Sequence, residues 1–329
     1  MRRGHPTVVR RPVVTRAEHD LAHAVNRGSA RTVMVLGVLF VAGFCLGCVP
    51  QKNPPPTNVK KEVEFYYGAG ITYLREGKTP QAVKELMRAQ ALSKDNADVE
   101  HAMGLAYQQK GLYDQALQQY KKALKLDPKL TEARNNLGTI YLIKSKYDEA
   151  IAQFDECLKD PTYATPEKAQ YNLGIAYFHK NDVDKAIQHY ERALLLDGSN
   201  INTIYNLGFC FETKKDYEKA LNFYRKALDI RPRFKDAYLR IGIILKEQKK
   251  YPQALEAFRK AAKIDPDYLP AHLQMGMLLT RTGKVAAGLR KLELVAKADP
   301  TGILGEKAKE KIKEIKRDRF RGIPRVKRN

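Results

Sequence analysis

The sequence predicts an all-α fold, an array of seven stacked helix pairs closed by one further helix. Three observations predict it. Glycine recurs at positions 70, 104, 138, 174, 208, 242 and 276, at spacings of 34, 34, 36, 34, 34 and 34 residues. Sixteen residues after each glycine stands a large side chain (Leu86, Tyr120, Phe154, Tyr190, Tyr224, Phe258, Leu292), and alanine recurs twelve and nineteen after it in most units. Proline closes most units, at Pro128, Pro232, Pro266 and Pro300.

The elements follow in chain order. Residues 1–47 read as a signal peptide. Arg27 and Arg31 precede an uncharged run, TVMVLGVLFVAGFCLG, at 32–47, the basic and apolar regions of a secretory leader. Sixteen residues rise about 24 Å as a helix, short of the ~30 Å hydrocarbon core. The basic region is long, so a functional start near Val25 is expected. Residues 1–24 are then an artefact of the start codon, or otherwise an unstructured tail. Leu46-Gly47-Cys48 resembles the end of a bacterial lipobox, with Cys45 where the motif usually has Leu. The resemblance implies that Cys48 is the lipidated first residue of the mature chain, anchored to the periplasmic face of the outer membrane. An uncleaved signal anchor is the alternative. Residues 48–62 are the lipidated cysteine and a Pro-rich linker.

Residues 63–302 hold the repeats. Several positions recur in register through seven units, and this pattern resembles the tetratricopeptide repeat. The resemblance implies a right-handed superhelical solenoid with a concave groove lined by the first helix of each pair. The physical basis is plain. Small residues let helix backbones approach, and the large side chains fill the space beside them. Proline ends the second helix. One pair cannot bury its apolar face alone, so neighbours stack. Residues 303–319 make an amphipathic helix, with Ile303, Leu304, Ile312 and Ile315 apolar, suited to cap the last repeat. Residues 320–329 are a basic tail.

Charge and motifs narrow the function. The chain carries 59 Lys and Arg against 37 acids, a net charge of +22. Much of the excess is terminal, with seven Arg against two acids in residues 1–32 and eleven Lys and Arg against four acids in 301–329. A nucleic-acid binder would gather charge on one face, so no nucleic-acid partner is expected. Metalloprotease, hydrolase, P-loop and dinucleotide-binding motifs are absent. The seven His (5, 19, 23, 101, 179, 189, 272) are scattered, and none pairs with Cys or a carboxylate at ligand spacing. Nothing points to an enzyme, a metal, a cofactor or a small-molecule substrate. Cys157 and Cys210 fall on interior positions and read as buried thiols. Function is therefore binding of another protein.

The groove is expected to be apolar and aromatic around the fourth and fifth repeats: Tyr171, Ile175, Phe178, Tyr205 and Phe209. Rings of this kind suit an extended peptide or a partner helix. The alternative is that some pack between neighbouring first helices. Two residues before the glycine stand Asn136, Asn172, Asn206 and Arg240. With Lys168, the last three are similar to the carboxylate clamp of chaperone-binding repeat domains. Asp236 departs from that pattern, since it would repel a carboxylate.

The 36-residue period is the informative irregularity. It reads DECLKDPTYATPEKAQYNLGIAY over 155–177, where Thr165 can cap the next helix and Pro166 takes its first position. A longer link here, after a lipidated N-terminus, resembles the PilF/PilW/Tgl family of type IV pilus lipoproteins, the secretin pilotins. Tyr163, Pro166 and Glu167 match the Tyr-Pro-Glu-like insertion of that family. The resemblance spans 45–270, and the seventh repeat and the basic tail are extra. It implies an outer-membrane scaffold for pilus biogenesis that binds secretin subunits and promotes their localisation and multimer assembly. The alternative is a general periplasmic scaffold that organises peptidoglycan-modifying enzymes.

Overall fold

The computed structural model describes residues 59–321. Cys48, the leader and the basic tail beyond Arg321 lie outside the described residues. Fifteen α-helices and no strand occur among the described residues, an all-α repeat fold. The chain divides into two compact units between Tyr163 and Ala164, inside the 36-residue period.

The first unit holds three helix pairs: α1 (Val59–Arg75) with α2 (Thr79–Leu92), α3 (Ala97–Gln109) with α4 (Tyr113–Leu126), and α5 (Thr131–Ile143) with α6 (Tyr147–Leu158). The second holds four pairs and a last helix: α7 (Pro166–His179) with α8 (Val183–Leu196), α9 (Ile201–Thr213) with α10 (Tyr217–Ile230), α11 (Lys235–Glu247) with α12 (Tyr251–Ile264), α13 (Leu269–Arg281) with α14 (Val285–Ala298), and α15 (Ile303–Arg321). Helix α15 runs two residues past the expected end, because no breaker comes before Gly322 and Pro324.

Each pair closes on its register glycine. At Gly138 an added Cβ would stand 2.6 Å from the Phe154 ring, and at Gly242 2.4 Å from the Phe258 ring. Both rings are fully buried. The missing Cβ is therefore the space that the facing ring fills. Gly138→Ala is expected to cost about 1–3 kcal/mol of overpacking, less a helix-propensity gain of about 0.5–1 kcal/mol. The check is a denaturant midpoint that falls with an unchanged m-value; a rise would mean that Phe154 has room to move.

The turn inside every pair also repeats. Seven residues after the register glycine the backbone takes positive φ, at Gly77, Gly111, Ser145, Asn181, Lys215, Lys249 and Gly283, between 57° and 81°. This left-handed residue ends the first helix. Asp182 and Asp216 then cap the second helix, accepting from the amides of Lys185 and Lys219 at 3.1 and 3.2 Å. Thr165, by contrast, makes no side-chain cap on α7, although Pro166 does stand at its first turn. The proline's fixed φ starts that helix without help from the hydroxyl.

Between pairs, apolar contact is reinforced by a few buried polar groups. In the first unit Val99 packs against Val63 and Ala89 of the preceding pair. Beside it the wholly buried Glu100 accepts two bonds from Gln90 at 2.9 Å and one from Lys122 at 2.5 Å, tying α2, α3 and α4. A buried carboxylate needs such partners. Cys157 and Cys210 are buried free thiols, and burial pushes both up to about 12, so neither is a nucleophile at neutral pH. At the C-terminal end Asp299 accepts from the amides of Leu304 and Gly305, and Leu304, Ile312 and Ile315 pack on Leu273, Leu292 and Val295.

Candidate functional site

The aromatic cluster lies on α7, α9 and α11 of the second unit. Phe178 and Phe209 meet with ring centroids 5.2 Å apart. The Arg240 guanidinium lies 4.1 Å above the Phe209 ring. Ile175, Phe178 and Phe209 are half-buried and keep part of their surface open. Together they form an apolar strip with a cation–π contact at one end.

The other expected groove residues serve the fold. Asn172 is 4% exposed and so is not open to a ligand; the small amide is sealed into the helix packing. The Tyr171 ring leans on Tyr190, and Tyr205 on Tyr224 and Phe234, with centroids 5.1–5.8 Å apart. Burial pushes the Tyr171 and Tyr205 hydroxyls up to about 12, so both stay neutral. The reason is contact between successive first helices. At Gly138, Gly208 and Gly242 the residue two before the glycine reaches back to the ring three before the previous glycine. Asn136 meets His101 Nε2 at 2.9 Å, and Asn206 donates to Tyr171 Oη at 3.3 Å and to Tyr190 Oη at 3.4 Å. Arg240 likewise hydrogen-bonds Tyr205. These side chains read one another before they read a ligand.

Arg240 also pairs with Glu212 at 3.3 Å, with side chains 24% and 14% exposed. Glu212 accepts a second bond from Tyr224 Oη at 2.7 Å. The cation of the expected carboxylate clamp is thus already neutralised inside the chain. Asp236, the departure noted above, accepts from Tyr268 Oη at 2.5 Å. Arg240 is therefore not free to meet a C-terminal carboxylate, and the clamp similarity is corrected at that position. The sequence places Glu212 at a groove-facing position without marking it as the partner of Arg240, and it passes over Phe234. The signal for Glu212 was an acid four residues after one register glycine, 28 residues before the arginine it meets. Nothing in the repeat pattern marked Phe234, which stands just ahead of α11.

Among the described residues no group of three or more His, Cys, Asp or Glu could hold a metal, and no helix is long and apolar enough to cross a membrane. The site offers apolar area, neutral hydroxyls and an internally balanced charge pair. That is a surface for contact.

Comparison with known proteins agrees with this architecture. Models of the tetratricopeptide repeat match residues 109–143, 131–159, 166–233 and 236–268. Among solved structures, one titled for the functional characterisation of Pseudomonas aeruginosa pilF has a TM-score of 0.59 at 21% identity, covering 65% of this chain and 96% of that one. A tetratricopeptide repeat protein from Parabacteroides merdae has a TM-score of 0.59 at 16% identity, covering 75% and 96%. The hetero-tetramer Cut9–Hcn1 of APC/C has a TM-score of 0.61 at 15% identity, covering 77% and 51%. At these identities the likeness is one of fold. No curated protein matches by sequence.

Proposed function

We propose that this chain, whose repeats match tetratricopeptide-repeat models over 109–159, 166–233 and 236–268, is a scaffold for protein–protein interaction, and that the strip formed by Ile175, Phe178 and Phe209 holds an apolar segment of a partner in the bacterial envelope. The observation that carries this reading is the half-open pair of phenylalanine rings beside an arginine whose charge is already met. Partly open aromatic rings can fill a partner's pocket and anchor an interface.

Beyond the binding itself, we propose an outer-membrane lipoprotein of type IV pilus biogenesis whose partner is a secretin subunit. The support is the lipobox-like Leu46-Gly47-Cys48, the 36-residue period with Tyr163, Pro166 and Glu167, and the shared fold with the pilF structure. In this reading the lipid on Cys48 localises the chain, the strip holds a subunit, and the effective concentration of subunits at the membrane rises. No bond is made or broken.

The test is a pull-down from envelope membranes with the full-length protein, followed by mass spectrometry. A secretin as the dominant partner is the expected result; peptidoglycan synthases or hydrolases instead would favour the periplasmic scaffold. The double variant Phe178→Ala, Phe209→Ala is expected to retain at least about tenfold less of that partner, the loss of two interfacial anchors. Its helical circular dichroism should be unchanged and its melting only modestly lowered. A collapse of the melting temperature would make both rings part of the core and end the binding reading.

A further inference from the structure

The first helix pair leaves open a side of its first helix that every later pair buries. Five residues before the register glycine stand Phe65, Val99, Ala133, Ala169, Thr203, Ala237 and Ala271. The last six are no more than 1% exposed, whereas Phe65 is 59% exposed. The position two after the glycine behaves alike: Thr72 is exposed, and its six counterparts are buried. Phe65 and Thr72 are seven residues apart, so they share one side of α1. On α2, Met87 is 55% exposed at a position that all six later pairs fill with a charged residue. The chain covers its last pair with α15, but nothing among the described residues covers the first. A later pair keeps a small residue at the Phe65 position because it must fit against a neighbour. The largest side chain of the series stands where no neighbour comes.

We infer that this side of α1, with Phe65 at its centre, seats in the interfacial layer of a lipid bilayer. The inference rests on the proposed membrane tether. The route of the chain supports it. The apolar run at 32–47 ends at Cys48, and ten residues separate that cysteine from Val59. Ten extended residues reach at most about 35 Å, and Phe65 lies about 9 Å further along its helix. A lipid-held Cys48 therefore keeps Phe65 within reach of the same surface. Phe65 meets Tyr66 edge to face at 5.4 Å, and paired aromatics suit the boundary between headgroups and acyl chains. One turn before Phe65 on the same side stand Lys61 and Glu62, which balance in charge. They hold the insertion shallow, with the lysine stem extended toward the headgroups. The consequence is orientation of the first unit, which stands on its first pair.

The chain has no tryptophan, so Phe65→Trp in the full-length protein is a single fluorescent reporter at an exposed position. Vesicles of phosphatidylethanolamine and phosphatidylglycerol, with and without brominated acyl chains, are the probe. The expected result is flotation with the vesicles, a blue-shifted emission, and quenching of at least about twofold by the brominated lipid, as for an aromatic held at the acyl boundary. Ile143→Trp, also exposed in the first unit, should show neither shift nor quenching. Flotation with an unquenched Phe65→Trp reporter leaves the tether standing and overturns the lipid face. No flotation overturns the tether and this inference with it. A reporter already blue-shifted without lipid also overturns the inference. A concentration-dependent shift would then assign the face to a second copy, and a concentration-independent one to residues 49–58 of the same chain.

Discussion

Tyr224→Ala lowers the unfolding free energy by about 3–5 kcal/mol, the range for emptying a fully buried aromatic site. Tyr224 is fully buried on α10, and its ring fills the space that Gly208 leaves open, with an added Cβ there only 2.8 Å from it. The ring also supports Tyr205 at 5.4 Å. Its hydroxyl donates to Glu212 at 2.7 Å, so the truncation removes packing and leaves a carboxylate short of a partner. Tyr224→Phe separates the two effects. It keeps the ring and deletes only the bond, for an expected cost of about 1–3 kcal/mol. Urea titration of both variants checks the pair. Equal losses would mean that the hydroxyl carries the stability and that the ring can be spared.

Arg240→Ala is the second large effect, with an expected loss of about 2–4 kcal/mol at neutral pH, near what a broken, mostly buried ion pair costs. Burial raises the Glu212 carboxyl above the ordinary glutamate value, and Arg240 is the first influence that opposes this. Without the guanidinium the value rises further. The sign follows from linkage. A raised folded-state value means that the native state holds the proton more tightly than the unfolded chain. Its stabilising effect is fully present below the ordinary glutamate value of about 4.3, and it is lost as pH rises through the higher folded value. The deficit of Arg240→Ala is therefore greatest at neutral pH and narrows as the solution is acidified toward that range. Thermal melts of wild type and variant at several pH values measure it. A deficit that does not change with pH would place the cost in lost contact with Phe209 and not in the charge of Glu212.

The repeat was legible in the sequence because its requirement is local and geometric. A large side chain such as Phe154 or Phe258 needs a residue without a Cβ opposite it, and glycine sixteen residues earlier answers that need in every unit, for a ring in five of them and for leucine in the first and last. The break in the 34-residue spacing was legible too, and the division into two units falls within it. The groove was harder to read. Whether a ring on an inner helix faces a ligand or a neighbour depends on the side chain 35 residues later. Asn206 turns Tyr171 inward, and Arg240 does the same to Tyr205. Phe178 and Phe209 stay partly open because they meet each other. The clamp similarity breaks at Arg240 for a related reason. A pattern of residue types cannot show that Glu212 has already taken the charge of Arg240. Thr165 shows the same limit on a smaller scale, since a residue able to cap is unused where proline starts the helix.

The contacts within each unit are almost wholly between a helix, its partner and the next pair, and this has a mechanical consequence. Nothing ties distant parts of a unit together, so a pulling force meets the pairs in series. Each pair that gives way releases about 34 residues, on the order of 115 Å of extended chain, while its neighbours keep their own glycine-to-ring closures. A globular core of the same size would yield in one event. Under load each unit lengthens in steps, pair by pair, and can rewind from whichever pair survives.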